Sequence, residues 1–155
     1  MAKKEQITML DDTAAGFNIS QMVGVGGPNF RGDVMLIQAM TNFIAIGHKD
    51  LGMIGLKQQF ELPDVSGIMD GNTINAIMNY QFRWMHLLYS TKSGLIFTID
   101  YTQYKFTDQD TKRPQMTMLH QHCMDASGRL NQTADYTIDM LKMFPELRPF
   151  VSGKP

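Results

Sequence analysis

The chain is poor in the residues that would staple, anchor or charge it. Its single cysteine, Cys123, excludes an internal disulfide framework, so folding does not depend on an oxidising compartment. No stretch approaches the roughly 18 continuous apolar residues of a membrane helix. No apolar run follows Lys3 and Lys4 in "MAKKEQITMLDD", so neither a secretory signal nor membrane insertion is expected. Charge of one sign is equally scarce: 14 Lys and Arg stand against 15 Asp and Glu, a net charge of -1. That balance lacks the footprint of a protein that binds nucleic acid or an anionic membrane surface, and it favours a ligand that is neutral or of mixed charge. Low-complexity tracts and long linkers are missing as well.

What remains is enough for one domain. With 155 residues, 43% of them hydrophobic, the chain is long enough to bury a core, and residues 1–155 are read as a single unit. The 14 methionines read as adaptable core filling. Near alternation of Phe17, Ile19 and Met22 or Val23 with polar residues in "GFNISQMVGV" (16–25) predicts one short strand or extended arm. From Asp33 to about Ile46, Val34, Ile37, Met40 and Ile44 recur at helical spacing, with Leu36 and Phe43 widening the stripe. Asp33 suits the positive end of that helix, and the preceding "GVGGPN" supplies glycines for a tight turn and Asn29 to bond back to it.

A second helix is expected after Asp70, whose carboxylate can accept the free amides of the first turn. It carries Ile74, Ile77, Met78, Met85 and Leu88 on one face, with Trp84 beside it. The alternation of "LIFTIDYTQYKF" (95–106) predicts a strand, whereas "QMTMLHQHCM" (115–124) reads equally as strand or short helix and "DASGRLNQ" interrupts it. Helical spacing returns in "TADYTIDMLKMF" (133–144), with Thr133 as a possible cap and Pro145 as a stop. The expected fold is therefore mostly α with a small β element: a helical core over 22–90, and a C-terminal strand or hairpin and helix over 91–155 packed on it.

The two middle helices carry a resemblance. "DVMLIQAMTN" (33–42) resembles the first helix of the bacterial peptidoglycan-binding domain of the three-helix type, and "SGIMDGNTINAIMNYQ" (66–81) is similar to its second signature. Asp33, Val34, Ile37, Gln38, Asn42, Gly67, Ile68, Thr73, Ala76, Ile77 and Gln81 match in kind, with Tyr80 in place of Phe. Ser66, Asp70 and Gly71 depart from the pattern, and the loop between the halves is longer than usual. The resemblance implies a non-catalytic wall-binding module whose ligand is a glycan strand or stem peptide, with no cofactor. "VGVGGPN" further resembles stand-alone bacterial proteins associated with contractile injection or type VI secretion. That resemblance implies a chain made in the cytoplasm and exported to the periplasm or a target cell by a secretion apparatus.

A glycan or peptide ligand calls for amide and hydroxyl partners and an aromatic face. Asn72, Thr73, Asn79, Tyr80, Arg83 and Trp84 supply those types and are the expected ligand-binding residues, set against their reading as an ordinary solvated helix face. Asp33, Gln38, Asn42, Gly67, Asp70 and Gln81 are expected to be structural, with Gln38 and Gln81 holding inter-helix loops through their amides. The alternative class is an interaction protein that reuses the fold, with the C-terminal block and its "FPELRPFV" (144–151) as a docking or homo-oligomer surface. The enzymatic alternative is a metal-dependent hydrolase built on "HQHC" (120–123). His120 and His122 share a side on a strand but splay on a helix, and the earlier His and Asp that such a peptidase requires are not at the right spacing. No catalytic residue is assigned. Cys123 lacks a local nucleophile signature, and the glycine cluster lacks the Gly-Lys-Ser/Thr of a phosphate loop.

Overall fold

A computed structural model describes residues 2–9, 12–47, 62–83, 95–96, 115–130 and 135–152. One helix organises the fold. In α1 (Arg31–Gly47) every residue from Asp33 to Ala45 is buried, so the apolar stripe read from the sequence is only part of a helix enclosed on all sides. The helices α2 (Gly71–Arg83), α3 (Gln115–Arg129) and α4 (Tyr136–Met143) pack on it, together with a 3₁₀ segment, Pro145–Phe150. A single core runs through Phe17, Leu36, Met40, Phe43, Ile77, Tyr80, Leu119, Tyr136 and Leu147, so the C-terminal elements belong to the same packed unit.

The β structure is small, and the molecule is mostly α, as the sequence implies. Strands β1 (Ala2–Met9) and β2 (Asp12–Asn18) form an antiparallel hairpin from Lys3 opposite Asn18 to Met9 opposite Asp12. The short β3 (Val23–Gly24) pairs antiparallel with β4 (Leu95–Ile96). Finally, β5 (Val151–Ser152) joins β1 in parallel, which gives the order β2-β1-β5 and brings the two ends of the described chain together. The hairpin corrects the sequence reading, which placed only one short strand or arm at 16–25. "AKKEQITM" has too few apolar residues to show a period of two, and what makes it a strand is its pairing on both sides.

One open reading is settled and one expectation changes. The segment 115–124 is helical, and helix α3 continues through "DASGR" instead of breaking there. Ala126 lies so close to α1 that a Cβ on Gly47 would come within 2.5 Å of its methyl, and Ser127 bonds to Asp139 on α4. Those contacts outweigh the low helix propensity of the exposed Gly128. Helix α4 is capped by Asp135, whose carboxylate accepts the Thr137 amide at 2.9 Å, while Thr133 lies outside the described residues. Pro145 opens the 3₁₀ segment directly after α4, consistent with its reading as a stop. Of the strand expected over 95–106, Leu95 and Ile96 are described and extended.

Candidate functional site

Asn29 and Asp33 build the entrance to α1. Asn29, at φ 54, accepts the Gly24 amide at 2.7 Å and donates to the carbonyls of Gly24 and Gly27, while Gly26 takes φ 78 in the same turn. Asp33 serves less its own helix than the chain before it. Its buried carboxylate accepts the amides of Ser20 and Gln21 and the Ser20 hydroxyl at 2.7–3.0 Å, which ties the connection between β2 and β3 to α1.

Gln38 is the hub between α1 and α2. Its Oε1 accepts the amides of Ser66 and Gly67 at 3.0 and 2.9 Å, and its Nε2 donates to the Ile68 carbonyl and the Thr73 hydroxyl, both at 2.9 Å. All four hydrogen-bonding positions of this buried amide are used. The Thr73 hydroxyl in turn donates a hydrogen bond to Asp70, which also accepts the Thr73 amide at 2.8 Å and so caps α2. The hydrogen bonds from Thr73 hold the Asp70 carboxyl below its ordinary range. Gly67 has φ 79, and a Cβ there would lie 2.4 Å from Arg31 Cγ, so the loop approaches α1 only because the residue is glycine. Asn42 donates to the Pro63 carbonyl at 2.8 Å and fixes the start of the same loop.

The expected ligand-binding residues divide. Thr73 and Tyr80 face inward: Thr73 sits in the Gln38 network and Tyr80 is buried with its hydroxyl 2.5 Å from His122 Nδ1. Both are corrected from surface contacts to architecture, because the buried face of α2 is Thr73, Ala76, Ile77 and Tyr80, while Ile74 and Met78 are half-buried. Asn72 and Asn79 are half-buried, and with exposed Asn75 they form a stripe along the outside of α2. The Asn79 amide group donates to the Asn75 carbonyl at 2.9 Å. Arg83 ends α2; its side chain and that of Gln81 lie outside the described residues, as do Trp84, Met85 and Leu88 altogether.

The histidines splay, because their segment is helical. His120 Nδ1 meets the Tyr136 hydroxyl at 3.0 Å, and His122 Nδ1 meets Tyr80. The Phe17 amide donates to the Tyr136 hydroxyl at 3.0 Å, so this hydroxyl links β2, α3 and α4. Burial pushes the His120 pKa down to about 4, with Asp135 acting weakly against it. Burial likewise pushes the Cys123 thiol well above its usual value, the opposite of what activates a nucleophile. Among the described residues no group of three or more His, Cys, Asp or Glu side chains is arranged to hold a metal ion.

One cluster escapes the sequence reading. Phe30 is 54% exposed and Ile68 66% exposed, and their chain neighbours Arg31 and Gly67 are in close contact. The Arg31 guanidinium lies 5.1 Å from the centre of the Phe150 ring, which itself packs against Gly32. Ile68 belongs to the quoted motif, but Phe150 reaches α1 only by way of the 3₁₀ segment, and no local pattern foretells that. No protein-family model, curated protein or solved structure matches the chain.

Proposed function

We propose that the chain is a non-catalytic peptidoglycan-binding module, associated with or delivered by a bacterial secretion apparatus as its resemblance implies. The observation that carries this reading is the Gln38 network. Gln38, Gly67, Ile68 and Thr73, which hold the resemblance together in the sequence, form one hydrogen-bonded unit that sets the loop and the start of α2 on α1. The unit presents Asn72, Asn75 and Asn79 along one outer face, and amide groups of this kind suit the hydroxyls and peptide groups of a wall fragment.

The test is retention of the purified protein on insoluble sacculi, with competition by soluble muropeptides. Retention that falls at least threefold in an Asn75→Ala, Asn79→Ala variant with an unchanged circular dichroism spectrum is the expected result. A folded wild-type protein that stays in the supernatant would sink the reading. In that event the exposed apolar residues of α4, Ile138 and Met143, favour the second reading, a protein-interaction module docking through its C-terminal block.

A further inference from the structure

We infer that the hairpin β1–β2 is a strap over α3 and α4 that acid releases, with His120 as the group whose protonation opens it. The clasp is built at one cross-strand pair. Lys4 and Phe17 stand directly opposite each other in the hairpin, so their side chains leave the same face, and they meet consecutive residues at the start of α4. The Lys4 ammonium, on a side chain only 8% exposed, lies 3.7 Å from the Asp135 carboxylate, and the Phe17 ring meets the Tyr136 ring edge-on with centres 6.0 Å apart. The Phe17 amide donates to the Tyr136 hydroxyl at 3.0 Å, so this backbone group of β2 is satisfied by α4. Asp135 and Tyr136 thus hold the hairpin, while Asp135 also caps α4.

The same Tyr136 hydroxyl bonds to His120 Nδ1 at 3.0 Å, and the two rings meet edge-on at 5.3 Å, which places a titratable group at the inner end of the clasp. His120 is 1% exposed, and β2 packs against both α3, which carries it, and α4, which it meets. A proton from solvent turns the imidazole into a cation with two N–H donors, and a cation enclosed in this way gains hydration only when the structure over it opens. Among the described residues, α4 brings Asp135, Tyr136 and Asp139 to this region, β1 brings Lys4, and α3 itself carries His122, Cys123 and Asp125. Neither α1 from Val34 to Gly47 nor β2 from Thr13 to Asn18 contains a charged side chain. Burial opposes the proton on His120 more than the Asp135 charge favours it, and that carboxylate is already engaged by Lys4 and Thr137. The hairpin is the smallest unit that can leave, because α1 is enclosed on all sides and α3 and α4 are packed on it.

Native-state hydrogen exchange of the full chain reads the opening amide by amide. With the His120 pKa at about 4 in the closed state and near its ordinary 6.5 once hydrated, the strap is closed above pH 6.5 and loosens as the pH falls toward 4. The amides of the β1–β2 ladder are expected to be less protected than those of α1 at pH 7. Their protection, corrected for intrinsic rates, should fall roughly 50-fold between pH 7 and pH 4.5. His120→Gln should remove most of that fall. Lys4→Met, which deletes the ion pair, should lower ladder protection about two- to fivefold at both pH values and keep the fall, which separates the imidazole from the Asp135 carboxylate as its cause. Ladder amides that match those of α1 at both pH values would overturn the inference, since the hairpin would then leave only when the whole fold does. Wild-type ladder protection that is unchanged at pH 4.5 would overturn it too, and neither result depends on a variant that folds. An undiminished fall in folded His120→Gln would remove His120 as the trigger.

Discussion

The two sides of α1 solve the same packing problem with different chemistry. Toward α2, a buried neutral amide, Gln38, holds a loop and a helix start through four hydrogen bonds. Toward α3 and α4 the buried polar groups include an imidazole, His120, which bonds to Tyr136, beside the bond of Ser127 to Asp139. The first arrangement has no proton to gain or lose between pH 4 and 9, so its strength is set by geometry alone. The second is set by geometry and by protonation, because a buried imidazole that gains a proton must be desolvated as a cation. The contrast locates pH sensitivity in the C-terminal half.

The sharpest way to break the comparison is to remove the amide. Gln38→Leu leaves the amides of Ser66 and Gly67 without their acceptor, and a loss of roughly 3–5 kcal/mol is expected, since each orphaned buried group costs about 1–3 kcal/mol. Chemical denaturation at pH 7 measures it, and the loss should be the same at pH 5.

Acid is the next largest perturbation and should act on the other side. His120 has a folded pKa of about 4 against an ordinary value of 6.5, so the unfolded chain binds the extra proton between those values. The contribution is fully present above pH 6.5, is lost as pH falls toward 4, and is flat below that. The difference amounts to about 3 kcal/mol at 1.36 kcal/mol per pKa unit. Urea midpoints at pH 7 and pH 4.5 should show the decrease in the wild type and a smaller decrease in His120→Gln; equal decreases would remove His120 as the cause. The smallest expected effect is Asp70→Ala, which deletes the cap of α2 for about 1 kcal/mol. It should shift the thermal midpoint by a few degrees without altering the pH profile between 7 and 4.5.

Legibility in the sequence followed the distance between partners. The roles of Asp70 and Asn29 are written within a few residues, as a cap and a turn bond, and both appear where the local pattern places them. Gln38 is legible one step further, because the motif containing it names the loop it holds. Thr73 and Tyr80 were misplaced because residue type alone does not say which face of α2 meets α1 and α3. Their burial depends on the rotation of that helix, which Ala76 and Ile77 decide. The Arg31 and Phe150 contact is the least legible, since it joins the start of the first helix to the last turn of the fold.

By itself the sequence determined the fold class, the main helix around Val34, Ile37, Met40 and Ile44, and the capped start of α2. These are consequences of local periodicity and of side chains that bond to their own backbone. Only the tertiary structure decided that "AKKEQITM" is a strand, that α3 runs on through Gly128, and that His120 and His122 turn to two different tyrosines. In each case the deciding energy comes from a partner far away in the chain, a neighbouring strand or a buried hydroxyl. Such a partner leaves no period in the sequence it stabilises.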